Sequence, residues 1–111
     1  MRIEAVDLFC GVGGLTAGLI KSGITVKAGY DIEPSCRFGY EYNNKATFIL
    51  KDVAEVTAEE INSWYSKGSV RLLAGCAPCQ PFSTYSKGRD ATLDKKYPLL
   101  YHFARLIEEV R

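Results

Sequence analysis

Short apolar runs alternate along the chain with segments whose apolar residues recur at helical spacing. Ile3 to Leu8 reads as a first strand that stops at the glycine cluster Gly11, Gly13 and Gly14. A helix is predicted from about Leu15 to Ser22, closed by Gly23 in the left-handed position that favours glycine. Thr25 to Tyr30 reads as a second strand. Pro34 suits the first turn of a second helix, running to about Asn43, and Thr47 to Leu50 is a short third strand.

Thr57 and Glu60 have the spacing of a capping box, able to satisfy each other's free backbone donors. They open a helix that carries Ile61 and Trp64 and ends near Gly68. Val70 to Ala74 is predicted as a buried fourth strand. A last helix from about Pro98 places Leu99, Phe103, Leu106 and Val110 on one face. Strands separated by helices imply right-handed crossovers, hence an α/β fold with a parallel sheet and helices on both faces. Ligands of such sheets bind beyond the carboxyl ends of the strands. Asp7 to Gly14, Asp31 to Glu33, Asp52-Val53 and Cys76 to Ser83 all fall there, and that convergence outweighs any one of them.

Composition changes this picture little. The 111 residues, 47% hydrophobic and 24% charged, suit one ordinary globular domain without repeats or linkers. A net charge of +1 is no basis for a self-sufficient nucleic-acid binder, so a nucleic-acid substrate would need gripping surface elsewhere. No run approaches the ~18 apolar residues that span a bilayer. Met1-Arg2-Ile3-Glu4 lacks the basic start and apolar stretch of a signal peptide. The expectation is a cytoplasmic protein whose four cysteines, Cys10, Cys36, Cys76 and Cys79, are reduced.

Chemistry is suggested at two of the strand ends. Gly11, Gly13 and Gly14 let backbone approach a ligand closely, and the helix after them offers free N–H groups. The dinucleotide pattern G-x-G-x-x-G is not met, because Thr16 stands at its third glycine. Asp31, twenty residues past Gly11, is placed to accept from ribose hydroxyls, so an adenosine ligand without a pyrophosphate fits better than NAD. The plainer alternative is a simple strand-to-helix turn with Asp31 a solvated loop acid. Asp52, an acid before a helix, reads more readily as a solvated loop or cap residue.

At the other end, Cys79 lies between Pro78 and Gln80, with Pro81 following. Cys76-Ala77-Pro78-Cys79 has the C-x-x-C spacing of redox proteins or half a zinc site, yet Cys10, Cys36 and His102 supply no second pair at a usual spacing. Burial as a small hydrophobe suits Cys10, Cys36 and Cys76. It suits Cys79 poorly, since filler needs no bracket of prolines. A nucleophile is the third reading; it requires surroundings that favour the thiolate.

Together, Asp7-Leu8-Phe9-Cys10-Gly11-Val12-Gly13-Gly14 and Pro78-Cys79-Gln80-Pro81-Phe82-Ser83 closely resemble the cytosine-C5 DNA methyltransferases, across essentially the whole chain and in that family's order. The resemblance implies a Rossmann-like S-adenosylmethionine-dependent methyltransferase fold, of which these residues are the front half. It implies that Leu8, Phe9, Gly11, Gly13 and Gly14 hold S-adenosyl-L-methionine, with Phe9 packing on the adenine. Asp31 would hold the ribose, although the family more often has glutamate there. Ile32 would cover the adenine, where an aromatic is frequent, and Asp52 would bond its amino group with Val53 alongside. Pro78 and Leu99 would line the pocket near the target base.

By the same resemblance the Cys79 thiolate attacks C6 of a cytosine flipped out of double-stranded DNA. That attack makes C5 enamine-like and able to take the methyl group; loss of the C5 proton then expels the thiolate. Gln80, Ser83 and Ser86 would contact the DNA strand. The segment with Lys87, Arg89, Lys95 and Lys96 resembles a loop that closes over DNA, or is simply a solvated polar loop. No Glu-Asn-Val motif occurs, nor the later arginine motif, the target-recognition region or the helix that completes the cofactor pocket. These 111 residues are therefore expected to be inactive alone and to need the rest of the chain or a complementing subunit. The implied activity is DNA (cytosine-5-)-methyltransferase of a restriction-modification system. A tRNA cytosine-C5 methyltransferase and a non-catalytic S-adenosylmethionine-binding subunit stay open.

Overall fold

The computed structural model describes residues 2–76 and 98–110, the side chains of Pro98 and Leu99 excepted. Four strands, β1 (Ile3–Leu8), β2 (Thr25–Asp31), β3 (Thr47–Leu50) and β4 (Val70–Gly75), form one parallel sheet in the order β3-β2-β1-β4. Helices α1 (Gly14–Lys21), α2 (Cys36–Asn43), α3 (Ala58–Asn62) and α4 (Pro98–Glu109) fall between or after them. No helix among the described residues is long and apolar enough to cross a membrane.

The two faces of the sheet follow from the period-2 alternation of strand side chains. Val6 and Leu8 of β1 and Ala28 and Tyr30 of β2 join Val53, Val56, Ile61, Tyr65 and Leu106 in the larger cluster, under α3 and α4. Cys10, Tyr40 and Phe48 form the smaller one, on the side that α2 covers. β1, paired on both edges, is buried almost throughout, as a central parallel strand should be. The register between β1 and β2 slips after Ala5–Val26, leaving Lys27 as the extra residue. Lys27 and Arg2 then approach Glu4 Oε2 at 3.9 and 3.6 Å, while Glu4 Oε1 accepts the Ser66 N–H at 2.6 Å. The Ser66 backbone bond lowers the Glu4 pKa against the opposing effect of burial.

Several boundaries differ from the sequence expectation. α1 begins at Gly14 rather than Leu15, and Pro34 sits in the turn before α2 rather than inside it. α3 ends at Asn62, so Trp64 lies beyond the helix. The capping box is half formed: Thr57 Oγ1 accepts the Glu60 N–H at 3.1 Å, but the Glu60 carboxylate does not return to Thr57. It takes the Lys51 ammonium at 2.6 Å and the Tyr30 hydroxyl at 2.7 Å instead. An ammonium just past β3 and a phenol on β2 take the place of that one backbone donor. β4 is also less buried than expected, with Val70 43% exposed, because among the described residues it pairs on one side only.

Candidate functional site

β1 and β4 lie where the strand order reverses, the place at which open parallel sheets form a crevice. Leu8, the last residue of β1, pairs with Gly75, the last of β4. Phe9 and Cys76 therefore leave the sheet side by side. A Cβ on Gly75 would stand 2.7 Å from the Leu8 carbonyl oxygen, so glycine is what lets the two strand ends come this close.

The turn after β1 is held in an unusual backbone. Phe9, Gly11 and Gly13 have φ of 55°, 53° and 94°. For Phe9 this left-handed conformation costs roughly 1–2 kcal/mol and persists only where neighbours enforce it. The Cys10 N–H donates to the Tyr30 carbonyl at 3.0 Å, and the Gly13 N–H to the Cys10 carbonyl at 2.9 Å. The Gly11 N–H donates to Asp31 Oδ2 at 2.9 Å, while Asp31 Oδ1 accepts the Glu33 N–H at 3.0 Å. The Phe9 ring stands edge-to-face against Phe103 of α4, with centroids 6.0 Å apart.

Tyr40 supports the turn from beneath. A Cβ on Gly13 would collide with the Tyr40 ring and with Asn44 Nδ2, and a Cβ on Gly29 would lie 2.5 Å from the Tyr40 hydroxyl. By contrast, nothing lies within 4 Å of a Cβ built on Gly11 or Gly14 among the described residues. One side of the turn is thus packed and the other is open.

A buried polar chain runs under it. Thr16 Oγ1 donates to Asp7 Oδ2 at 2.7 Å and lies 3.0 Å from the Tyr40 hydroxyl. With its own proton spent on Asp7, Thr16 accepts from Tyr40. The Thr16 N–H, at the start of α1, also faces the Asp7 carboxylate and favours its ionised form. Burial pushes the Asp7 pKa up to about 6, opposed by the Thr16 bonds. Its Oδ1 has no hydrogen-bond partner among the described residues. Burial also drives the Cys10 thiol and the Tyr40 phenol upward, so both are neutral.

The other expected residues are placed differently from one another. Ile32, 58% exposed, lies beside Asp31 at the open lip. Asp52 Oδ1 accepts the Ala54 N–H at 2.9 Å and caps a 3-10 turn over Val53–Glu55. Leu8 and Val53 are core residues, so Leu8 can meet a ligand only through its backbone. Leu99 lies in the first turn of α4. Pro78, Cys79, Gln80, Ser83, Ser86 and the basic segment Lys87 to Lys96 lie outside the described residues. Sequence reasoning places Asp7 at a strand end without a side-chain role, and it misses Tyr40 as a builder of the site. It noticed Thr16 only as a broken glycine pattern, although that departure was the available signal.

The model of C-5 cytosine-specific DNA methylases matches residues 3–111. The chain belongs to that family. It is 51% identical over 106 residues to the Type II methylase M.HgiDII of Herpetosiphon aurantiacus, covering 95% of this chain and 29% of that one. It is 32% identical to the Type II methyltransferase M.XorII of Xanthomonas oryzae, covering 99% of this chain and 26% of the relative. The chain thus spans under a third of the length of these relatives. Among solved structures, a prophage-encoded DNA modification methyltransferase of E. coli superposes with a TM-score of 0.74 at 27% identity, over 98% of this chain and 29% of that one. The Dnmt2 methyltransferase of S. pombe, at 19% identity and TM-score 0.70, shares the fold across the whole C-5 methylase chain and 31% of its own.

Proposed function

We propose that this chain is the front part of the catalytic domain of a DNA cytosine-C5 methyltransferase of a Type II modification system, with the target-recognition region lying outside it. The supporting observation is the Leu8–Gly75 pairing, which sends the glycine turn and the Cys76 segment out of the sheet at one point. Three further features suit S-adenosyl-L-methionine. The turn is open on one side, Asp31 stands at its lip, and Ile32 offers an exposed apolar surface.

In this reading Phe9, Gly11, Gly13 and Gly14, with Asp31, Ile32, Asp52, Val53, Pro78 and Leu99, hold the donor. When bound, the donor supplies an electrophilic methyl group on a sulfonium. Backbone at Gly11 and Gly14 can approach without a side chain intervening, while Phe9 presents a ring already fixed by its backbone and Phe103. Cys79, three residues past Cys76, adds to C6 of a flipped cytosine and so gives C5 the electron density it lacks. Gln80, Ser83 and Ser86 contact the displaced strand.

The test uses the whole protein that carries this chain. Double-stranded DNA containing 5-fluorocytosine, which has no C5 proton to lose, should trap a covalent adduct with the wild type and with Cys76→Ser, but not with Cys79→Ser. An adduct that survives Cys79→Ser sinks the assignment. Methylation of tRNA in place of DNA would transfer the same chemistry to the other substrate.

A further inference from the structure

The position that breaks the dinucleotide glycine pattern, Thr16, is fully buried and bonded on two sides, to Asp7 at 2.7 Å and to Tyr40 at 3.0 Å. These three residues come from three different elements, β1, α1 and α2. Resting on the S-adenosyl-L-methionine reading of the turn, we infer that Thr16 and Tyr40 are positioning residues, whose hydroxyls align the Asp7 carboxyl and thereby fix the Phe9–Gly14 turn for donor binding.

Three observations carry this. Tyr40 is fully buried and wedged so closely against Gly13 and Gly29 that neither position has room for a Cβ. Its ring therefore sets the depth of the turn and its hydroxyl sets the direction of the chain. That direction is fixed: Tyr40 donates to Thr16 and Thr16 to Asp7, leaving Asp7 as the terminal acceptor. Asp7 then joins β1 to the first turn of α1 on either side of the loop, which spans residues 9–13. A third glycine at position 16 would lack the hydroxyl, and the left-handed Phe9 would lose part of what enforces it.

The Asp7 carboxyl is the titrating member. The groups facing it are Asp31, a like charge that raises its pKa, and the neutral Cys10 thiol and Tyr40 phenol. Removing the Thr16 hydroxyl removes a bond that lowers the Asp7 pKa. The pH at which donor affinity falls should therefore move upward. A residue that merely fills space would leave that pH unchanged.

The experiment compares wild type, Thr16→Val, Thr16→Ser and Tyr40→Phe in the whole protein, by calorimetric titration with S-adenosyl-L-methionine between pH 5 and 8. Amide hydrogen exchange at Gly11 and Gly13 is followed without ligand, and urea midpoints confirm folding. Thr16→Val and Tyr40→Phe should each weaken binding roughly tenfold and speed exchange at both glycines. Thr16→Ser should stay within about twofold of wild type, and Thr16→Val should shift the affinity profile to higher pH. Unchanged affinity, exchange and pH profile in Thr16→Val would overturn the inference while leaving the donor site intact, and so would a Thr16→Ser as weak as Thr16→Val. A wild type that does not bind the donor would overturn the underlying reading as well.

Discussion

Leu8 and Gly75 face each other at the carboxyl ends of neighbouring parallel strands, and a side chain at Gly75 would press on the Leu8 carbonyl oxygen from 2.7 Å. The obstacle is backbone, which cannot rotate aside as a side chain could. Packing at this point also sets where two candidate segments begin, because Phe9 and Cys76 are the first residues past each strand.

Gly75→Ala should therefore destabilise the protein by about 1–3 kcal/mol, the usual range for forcing a methyl group into a filled site. It should also weaken S-adenosyl-L-methionine binding, since the end of β4 must move away from the glycine turn. Urea denaturation and calorimetric titration measure the two effects. A variant of wild-type stability would show that the end of β4 yields freely, and the crevice would not depend on this contact.

Gly29→Ala addresses the same question under Tyr40. The new Cβ would stand 2.5 Å from the phenol of a fully buried ring that already packs on Gly13. A loss of roughly 1–3 kcal/mol is expected. The double variant with Tyr40→Leu should lose less than the sum of the single losses, because the leucine withdraws from the collision. Additive losses in a double-mutant cycle would place the strain elsewhere.

Much of this architecture was legible in the chain because it is local. All four strands show as short apolar runs, and Gly23 does adopt the positive φ expected of it after α1. Spacing singles out Asp31 as a ribose acceptor, but not its bond to the Gly11 N–H, which only the folded turn brings about. What could not be read depends on which side chains meet across elements. Glu60 has the spacing of a cap, yet it serves Lys51 and Tyr30, residues nine and thirty positions away. Tyr40 appears in the sequence as one aromatic in a helix. Its role emerges only when α2 is laid across Gly13 and Gly29.

The buried carboxyl of Asp7 has a pH signature of known sign. Its pKa rises on folding from 3.8 to about 6, so the unfolded chain releases this proton more readily. The penalty is absent below about pH 4, grows as pH rises to about 6, and is then constant at roughly 3 kcal/mol. Asp7→Asn, which can still accept from Thr16, carries no such charge. Relative to Asp7→Asn, wild-type stability should fall between pH 4 and 6. Denaturation curves of the two proteins at several pH values provide the difference, and parallel pH profiles would refute a raised Asp7 pKa.

Asp31 separates building the turn from binding the donor. Its carboxylate accepts two backbone N–H groups, from Gly11 and Glu33, so Asp31→Ala leaves both unpaired at about 1–3 kcal/mol in total. Asp31→Asn keeps one acceptor for Gly11 but turns an amide N–H₂ toward the Glu33 N–H, and should fall between wild type and alanine in stability. If Asp31 also holds the ribose, affinity for S-adenosylhomocysteine should fall by tenfold or more in Asp31→Ala, beyond what its altered stability explains. Calorimetry at a temperature where every variant is fully folded isolates that effect. Equal affinities under those conditions would leave Asp31 as a brace for Gly11, and the ribose contact would have to come from another residue.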